Sequence, residues 1–424
     1  MSGERDLSPH IRLGLQCRDL RRYADAERHF KEELGTDPLN DVALNLLATV
    51  IHAQSGRGRE ALDVIDRAIA IDPNDSQHHA ARAFILNGLD RPREALSAAR
   101  TARELDPGCD VGITAEAQSH LLLKDWPAAE KAAREAMAID PEASIAANLL
   151  AQALRMQNKQ GENEAQIAAL LHRDPEDEVT HYNAGWAALQ RGDHRTAETH
   201  FREALRLDPE FDAAREGLLT SFRARSRFYR AYLGYCMRMA RLRESAQWAV
   251  VIGIYLGYRL IRYLAEAVSP ALAVAAGAIY FLLVLWVFVA NAFGNFILLF
   301  DRFARHALRR DESHEAVAVG GGVATGLALL LLGFVSGWSW AFILGGSLAV
   351  SAIPLSMVFT NKSRLGAAIF AGIALFMYGG ALLAIFALAR DQRALFSMGL
   401  TILIWSGLAA LLSTWFSGVQ ALRR

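Results

Sequence analysis

The stretch HYNAGWAALQRGDHRTAETHFREALRLDP, residues 181–209, decides the fold of the first half of the chain. Small and apolar residues recur in it at helical spacing, as at Ala197, Phe201 and Ala204. The tripeptide RGD interrupts this pattern, and Asp208-Pro209 ends it because proline cannot continue a helix. The stretch therefore predicts two helices joined by a short turn.

The same Asp-Pro punctuation occurs six times in the first half of the chain. The pairs are spaced by 35, 34, 34, 34 and 34 residues and begin at Asp37, Asp72, Asp106, Asp140, Asp174 and Asp208. One pair of helices cannot bury its own apolar face, so units of fixed length stack on one another. The sequence therefore predicts an all-α solenoid of six helix-turn-helix repeats.

The repeat resembles the tetratricopeptide repeat (TPR) family. The sixth repeat carries nearly the whole family pattern, at Ala184, Gly185, Gly192, Ala197, Phe201, Ala204 and Pro209. In the fifth repeat Asn158 stands where the family has a turn glycine, which predicts less regular packing there. The resemblance covers residues 7 to about 221 and implies a concave surface that binds a protein or peptide.

The resemblance also implies which residues line that concave surface. They are mostly amides, hydroxyls and aromatic side chains of the first helices: Asn45, Thr49, Phe84, Thr114, Gln118, Asn148, Gln152, Tyr182 and Trp186. An amide donates to a peptide carbonyl and accepts from a peptide N–H, which suits an extended, partly apolar peptide with Tyr182 and Trp186 as aromatic anchor. The alternative is that these are solvated residues, with the aromatic side chains packed between repeats.

Charge is distributed very unevenly along the chain. Residues 1–246 hold 72 of the 90 charged residues, and residues 247–424 hold 18. The second half instead contains apolar stretches of about 20 residues, the length that a helix needs to cross a hydrocarbon core. They lie near 248–267, 271–290, 317–336, 340–359, 366–389 and 395–417. The sequence predicts a repeat domain with a capping helix over 1–221, a basic juxtamembrane helix over 222–246 and a six-span transmembrane bundle over 247–424.

The positions of basic residues predict the orientation of the six spans. With six spans, twelve basic residues near the span ends lie on the same side as the repeats, as the positive-inside tendency requires: Arg230, Arg238, Arg241, Arg243, Arg302, Arg305, Arg309, Arg310, Lys362, Arg364, Arg423 and Arg424. Arg390 and Arg393 lie on the other side. The N-terminus has no apolar stretch long enough for a signal peptide. We therefore expect a multi-pass protein of the plasma (inner) membrane with both termini in the cytoplasm.

Two charged features adjoin the first span. Residues 222–246 combine seven Arg with several aromatic residues, which predicts a helix lying on anionic lipid head groups. A nucleic-acid partner is not expected, because residues 1–221 carry 26 basic and 38 acidic residues and repel phosphate. Arg259, Arg262 and Glu266 share one helix face, where they either form an intramembrane polar face or extend toward the outer head groups.

Motifs of the common catalytic and cofactor sites are missing from the sequence. It contains no Gly-rich phosphate loop, no HExxH and no GxSxG. Cys17, Cys109 and Cys236 lack metal-ligand spacing, and His78 and His79 point about 100° apart on a helix. We expect neither an enzyme nor a cofactor or metal site.

Two functions remain open at this point. The first is a membrane-anchored scaffold that binds a protein or peptide through the repeats. The alternative is a transporter or channel that the repeat domain regulates, in which Arg259, Arg262 and Glu266 line a water-filled path. The sequence does not fix the oligomeric state.

Overall fold

The fold is all-α, as the sequence predicts. The computed structural model describes residues 8–54, 56–302, 304–361 and 363–416, with side chains described at all of these except 244, 281 and 410–416. These residues form helices and short turns, with no β-strand among them. Lys362, Arg423 and Arg424 of the topology prediction, and residue 417 of the last predicted span, lie outside this part of the chain. Two compact units are present, one of Met1–Ala187 and Glu203–Pro209, the other of Ala188–Arg202 and Glu210–Arg424.

Each of the six predicted repeats forms a pair of helices. The second helix of every repeat has 14 residues, and the first helix has 13 in all repeats but the first, where it has 11. The helices are α1 (Pro9–Asp19), α2 (Tyr23–Thr36), α3 (Asp41–Ala53), α4 (Gly58–Ile71), α5 (Ser76–Gly88), α6 (Pro92–Leu105), α7 (Asp110–Leu122), α8 (Trp126–Ile139), α9 (Ser144–Met156), α10 (Gln160–Arg173), α11 (Glu178–Gln190) and α12 (His194–Leu207).

The turn inside each repeat places one residue in the left-handed backbone region. Gly56 and Gly192 occupy it with φ of 82°, where glycine has no steric penalty. The equivalent residues of the other repeats adopt φ between 56° and 63°: Arg21, Asp90, Lys124 and Asn158. The turn of the fifth repeat thus keeps the conformation of the others although Asn158 replaces glycine.

The aspartates of the first five Asp-Pro pairs also stabilise the turns between repeats. Asp72 follows α4 with φ −124° and ψ 95°, an extended conformation that suits the residue before proline. Its Oδ1 accepts a hydrogen bond of 3.0 Å from the N–H of Asn74. The backbone N–H two residues later donates the same hydrogen bond, at 2.9–3.2 Å, to Asp37, Asp106, Asp140 and Asp174. Aspartate is therefore both a helix stop and a turn former.

Small residues allow the two helices of a repeat to approach closely. A Cβ added at Gly14 would lie 2.4 Å from Cε1 of Phe30, whose side chain is fully buried. One position of the second helix is a buried alanine in five repeats: Ala26, Ala61, Ala95, Ala129 and Ala197. The fifth repeat has Asn163 there, and its Oδ1 is buried without a hydrogen bond to any described residue. Its irregularity therefore lies in the helix interface.

A charged cluster joins the first two repeats. Arg57, in the turn of the second repeat, donates two hydrogen bonds of 2.6 and 2.9 Å to the carboxylate of Glu27 on α2. Gln54 and Lys31 donate to the same carboxylate at 2.7 and 2.6 Å. The hydrogen bond from Arg57 is the main cause that lowers the pKa of Glu27 from 4.5 to about 2. Glu27 therefore stabilises the folded repeats when it is ionised.

We expect Glu27→Gln to destabilise a fragment of residues 1–225 by about 2 kcal/mol at pH 7. A folded-state pKa below the unfolded value gives stability that is present above pH 4.5 and is lost as the pH falls toward 2. The difference between wild type and variant should therefore shrink below pH 4.5. Urea unfolding followed by circular dichroism at several pH values measures it.

The matched control for this measurement is Glu60→Gln. Glu60 also binds Arg57, at 2.6 Å, but its side chain is 47% exposed, so its ion pair is screened by solvent. We expect a much smaller loss than for Glu27→Gln. A Glu27→Gln effect that is equally large at pH 3 and pH 7 would contradict the assignment.

The second unit contains the C-terminal helices. Three of its segments, a helix over Arg310–Glu315, a π-helical turn over Ala316–Gly321 and a helix over Gly322–Ser336, form one continuous stretch, Arg310–Ser336. The helices are α13 (Asp212–Arg223), α14 (Arg227–Ala240), α15 (Glu244–Val268), α16 (Pro270–Leu298), α17 (Arg310–Glu315), α18 (Gly322–Ser336), α19 (Ser339–Thr360), α20 (Arg364–Ala389) and α21 (Arg393–Phe416).

Five of these helical stretches are long and apolar enough to cross a membrane, by length and composition: Ser245–Val268, Pro270–Leu298, Arg310–Ser336, Ser339–Thr360 and Arg364–Ala389. They coincide with the first five predicted spans. The sixth predicted span coincides with α21, but the part of this helix whose side chains are described, Arg393–Ala409, is apolar and too short to count with the other five. That α21 crosses the membrane therefore stays a prediction.

Glycine allows close helix crossings among the apolar helices. A Cβ at Gly345 on α19 would lie 2.7 Å from the carbonyl oxygen of Gly326 on α18, and one at Gly399 would lie 2.7 Å from the backbone nitrogen of Ala384. By contrast, a Cβ at Gly346 would meet nothing within 4 Å. Packing of this kind is a common basis of helix association in lipid.

We expect Gly345→Ala to destabilise the full-length protein in detergent by about 1–3 kcal/mol, because the new methyl group would contact backbone atoms of α18. Thermal unfolding followed by circular dichroism in one detergent measures the change. Gly346→Ala is the neighbouring control and should leave the melting temperature unchanged or slightly higher. Equal melting temperatures for the two variants would show that the crossing does not depend on Gly345.

Candidate functional site

The nine residues predicted to line the concave surface lie on the first helices α3, α5, α7, α9 and α11. Two of them, Thr114 and Asn148, are buried. The other seven are half-buried. The positions therefore differ in how far they are accessible to a ligand.

The side chain of Asn148 is hydrogen-bonded within the array. Its Nδ2 donates to Asp177 Oδ2 at 2.8 Å, and its Oδ1 accepts from Asn183 Nδ2 at 2.9 Å and from Thr180 Oγ1 at 3.2 Å. The amide thus links α9 to the start of α11. It is a structural contact between neighbouring repeats, and its hydrogen-bonding groups are already occupied.

Other predicted residues are also engaged within the first unit. Asn45 Nδ2 lies 2.9 Å from His78 Nδ1, and Thr49 Oγ1 donates to the carbonyl of Leu46 at 2.8 Å. The Oε1 of Gln118 accepts from Asn87 Nδ2 at 3.4 Å. Phe84 packs partly buried against neighbouring alanines and Leu86. These contacts favour a structural role at the N-terminal end of the row.

The remaining three predicted residues form one surface with Arg155, which we call the α9–α11 surface: Gln152, Arg155, Tyr182 and Trp186. The rings of Tyr182 and Trp186 meet edge to face, with centroids 6.3 Å apart. The guanidinium of Arg155 lies 5.9 Å from the Trp186 ring centroid. Gln152 is half-buried and makes no hydrogen bond to any described residue. The surface therefore offers an amide, a cation and two aromatic rings together.

The basic segment 222–246 differs from its prediction as one helix on lipid head groups. Its first residues end α13, and α14 and the start of α15 follow after short breaks. Phe222, Arg223 and Tyr229 are buried. Arg223 Nε donates to Asn295 Oδ1 at 2.9 Å, and Tyr229 donates to Asn291 Oδ1 at 2.9 Å. This side of the segment packs against α16, because the two asparagines of α16 supply acceptors.

Ion pairs strengthen this packing within the second unit. Arg215 of α13 donates two hydrogen bonds of 2.9 Å to Glu312 of α17. Arg225 pairs with Asp301 at 2.8 Å and with Glu198 of α12 at 3.0 Å.

Aromatic and basic side chains remain on the outside of α14. Phe228 is 80% exposed, and Arg227 and Arg238 are exposed as well. The guanidinium of Arg202 on α12 lies 5.8 Å from the ring of Phe222, on the other side of the segment. Of the two sides of α14, the outer one is therefore the side accessible to lipid head groups.

Arg259, Arg262 and Glu266 lie on α15 and are all exposed. Among the described residues none of the three is joined to another by an ion pair. The apolar window of this helix has no buried residue. The predicted polar face thus lies on the outside of the described helices, and whether it lines a path stays untested.

Histidine and carboxylate side chains come together in two clusters in the repeats. Nε2 of His78 lies 2.9 Å from Asp41 Oδ2 and 3.8 Å from Asp75 Oδ2. The second cluster consists of His10, His29 and Glu32. The sequence predicted neither, because one member of each cluster, Asp41 or His10, comes from a different helix than the rest.

Models of the tetratricopeptide repeat family match residues 18–85, 114–178 and 179–211 of the chain. The chain is a tetratricopeptide repeat protein. Among solved structures, it is similar to TTC0263, a thermophilic TPR protein of Thermus thermophilus, with 24% identity and a TM-score of 0.40 over 42% of this chain and 97% of that one. It is also similar to YrrB, described as a TPR protein with an unusual peptide-binding site, with 16% identity and a TM-score of 0.31 over 44% of this chain and 95% of that one.

Two curated proteins are similar to this TPR protein. One is the human protein O-mannosyl-transferase TMTC3, 25% identical over 49% of this chain and 25% of its own length. The other is the DnaJ homolog subfamily C member 7 homolog of Schizosaccharomyces pombe, 29% identical over 28% of each chain. The TPR protein thus spans about a quarter of the length of these relatives.

Within the TPR array, sequence reasoning missed Arg155 as a member of the α9–α11 surface. It follows Gln152 by three residues on α9, so helical spacing alone places both on one face. The positions that the family pattern assigns to the concave surface are uncharged here, and Arg155 is not one of them.

Proposed function

We propose that the protein is a membrane-anchored scaffold whose TPR array binds an extended, partly apolar segment of a protein partner. The observation that carries the proposal is the α9–α11 surface. Its aromatic pair offers apolar area and its amide offers both a donor and an acceptor to a peptide backbone. TPR domains typically bind protein or peptide partners, and no catalytic step is assigned to this one.

The anchor in this proposal is the set of long apolar helices. We assign the protein to the plasma (inner) membrane as a multi-pass protein with six spans, repeats and termini on the cytoplasmic side. Support comes from the five helices of sufficient length and from the cluster at Arg302–Arg310, which lies on the same side as the repeats when six spans are counted. The exposed Phe228, Arg227 and Arg238 on α14 suit contact with anionic lipid.

The alternative, a transporter or channel regulated by the TPR domain, requires an enclosed polar path. Arg259, Arg262 and Glu266 are exposed on α15 and do not pair with one another. The scaffold is preferred because its candidate surface is assembled within a single compact unit, Met1–Ala187.

We expect Trp186→Ala and Gln152→Ala each to lower partner capture from detergent-solubilised membranes by about tenfold, a loss of roughly 1.4 kcal/mol. Trp186→Ala removes the larger aromatic ring, and Gln152→Ala removes an amide that bonds to no described residue. Capture by the tagged full-length protein is quantified by mass spectrometry.

His172→Ala, an exposed residue of α10, is the control and should capture as wild type does. Asn148→Ala is unsuitable as a binding variant, because it breaks the contacts to Asp177, Thr180 and Asn183. Unchanged capture by both test variants, with helical content intact, would reject the α9–α11 surface.

The topology is tested by single-cysteine labelling. In a variant in which Cys17, Cys109 and Cys236 are replaced by Ala, we expect His314→Cys to react with an impermeant maleimide only in inside-out vesicles, and Gln392→Cys only in right-side-out vesicles. Neither position is buried, so burial does not prevent reaction. Lys131→Cys in the repeats serves as the reference for the cytoplasmic side. Labelling of positions 314 and 392 from the same side would refute the arrangement.

A further inference from the structure

Two histidines and a glutamate converge where α1 meets α2. Nδ1 of His10 on α1 lies 3.1 Å from Oε2 of Glu32, and Nδ1 of His29 lies 3.2 Å from the same oxygen. His29 and Glu32 are three residues apart on α2, so helical spacing places them side by side. All three ligand atoms lie within 4.8 Å of one another.

Two of the three ligand-atom separations, those from each histidine to Glu32, match the separations of ligands around one zinc ion. Zinc–nitrogen and zinc–oxygen bonds of about 2.0–2.2 Å at tetrahedral angles place two ligand atoms roughly 3.4 Å apart. The two measured distances, 3.1 and 3.2 Å, are within a few tenths of an ångström of this value. A metal ion therefore requires only small side-chain movements.

His10 has a nitrogen that the protein itself does not use. Its Nδ1 is shielded from solvent and makes no hydrogen bond with any described residue, although Glu32 Oε2 is close. His29 Nδ1, by contrast, has hydrogen-bond geometry to that oxygen. A shielded nitrogen with an unused lone pair is costly in the absence of a ligand.

The second cluster, around His78, differs in this respect. Both ring nitrogens of His78 have hydrogen-bond partners, Asn45 and Asp41. Thr180 occupies the equivalent position in the sixth repeat, where it bonds to Asn148, the counterpart of Asn45, and to Asp177, the counterpart of Asp75. Either His or Thr at this position of the repeat hydrogen-bonds to the asparagine of the preceding repeat. The hydrogen bonds of His78 therefore explain this cluster without a metal ion.

We infer that His10, His29 and Glu32 bind one Zn²⁺ ion, with a fourth coordination position open to water. Two imidazoles and one carboxylate are the ligand set of several zinc sites that keep such an open position. The three side chains are 40%, 17% and 44% exposed, so an ion reaches them from solvent. The ion links the two helices of the first repeat, whose first helix is the shortest of the array with 11 residues. This inference is independent of the peptide-binding proposal.

The test uses full-length protein in detergent, without a polyhistidine tag and stripped of metal by a chelator. ZnCl₂ is titrated in competition with a fluorescent chelator, and Co²⁺ is used in parallel because its visible absorption reports tetrahedral coordination. His10→Ala, His29→Ala and Glu32→Gln should each remove one bound ion per chain or weaken its binding more than tenfold. Zn²⁺ should also raise the melting temperature of wild type and not that of these variants.

Two controls keep the test decisive. His172→Ala removes an exposed histidine elsewhere and should bind Zn²⁺ as wild type does. Asp41→Asn alters the His78 cluster and should also leave this binding unchanged. The inference is overturned if wild type binds no Zn²⁺, if the three cluster variants bind as wild type does, or if Asp41→Asn alone abolishes binding. None of the altered residues is buried, and circular dichroism of the metal-free variants verifies that each remains folded.

Discussion

Close helix crossing at small residues is the constraint on which both halves of this chain depend. In the repeats, Gly14 faces Phe30 at a distance that no side chain at position 14 could tolerate. In the apolar half, Gly326 and Gly345 bring two backbones into contact. The driving forces differ, because the repeats bury apolar surface away from water while helices in lipid gain mainly from packing and interhelical contacts. The same geometric requirement nevertheless selects glycine and alanine in both.

The constant repeat length follows from the two kinds of turn. The turn inside a repeat needs one residue at positive φ, and the turn between repeats needs an aspartate that accepts a backbone N–H. With both turns fixed, second helices of 14 residues and first helices of 13 give a period of 34 from Asp72 onward, and the longer turn between α3 and α4 accounts for the one period of 35. Each first helix therefore presents the same face, which is why one surface is assembled from equivalent positions.

Spacing in the sequence was sufficient to predict the repeats and their pairing into helices, because Asp-Pro and the alanine positions report local geometry. It was insufficient for Arg21, Asp90 and Lys124, whose side chains give no sign that their backbone adopts a left-handed turn.

The hydrogen-bond partners of individual polar side chains were harder still to predict. Asn148 looks like a ligand contact by position, and only the neighbouring Asp177 and Asn183 show that its amide is occupied. Arg223 looks like a lipid contact by composition, and only Asn295, 72 residues later, explains its burial. Contacts between distant residues are not encoded in local pattern.

The division of the chain into two compact units passes through the sixth repeat. Repeat arrays gain and lose length in whole repeats, since each repeat contacts only its neighbours. In this array, however, Arg21 of the first repeat also pairs with Glu178 and Asp208 of the sixth, at 2.5 and 3.8 Å, so loss of a middle repeat would break these contacts. Loss of the sixth would remove Glu198 and Arg202, which contact Arg225 and Phe222 in the second unit. The number of repeats is therefore constrained at both ends of the array, because the sixth repeat pairs with Arg21 of the first and contacts Arg225 and Phe222, which follow it in the chain.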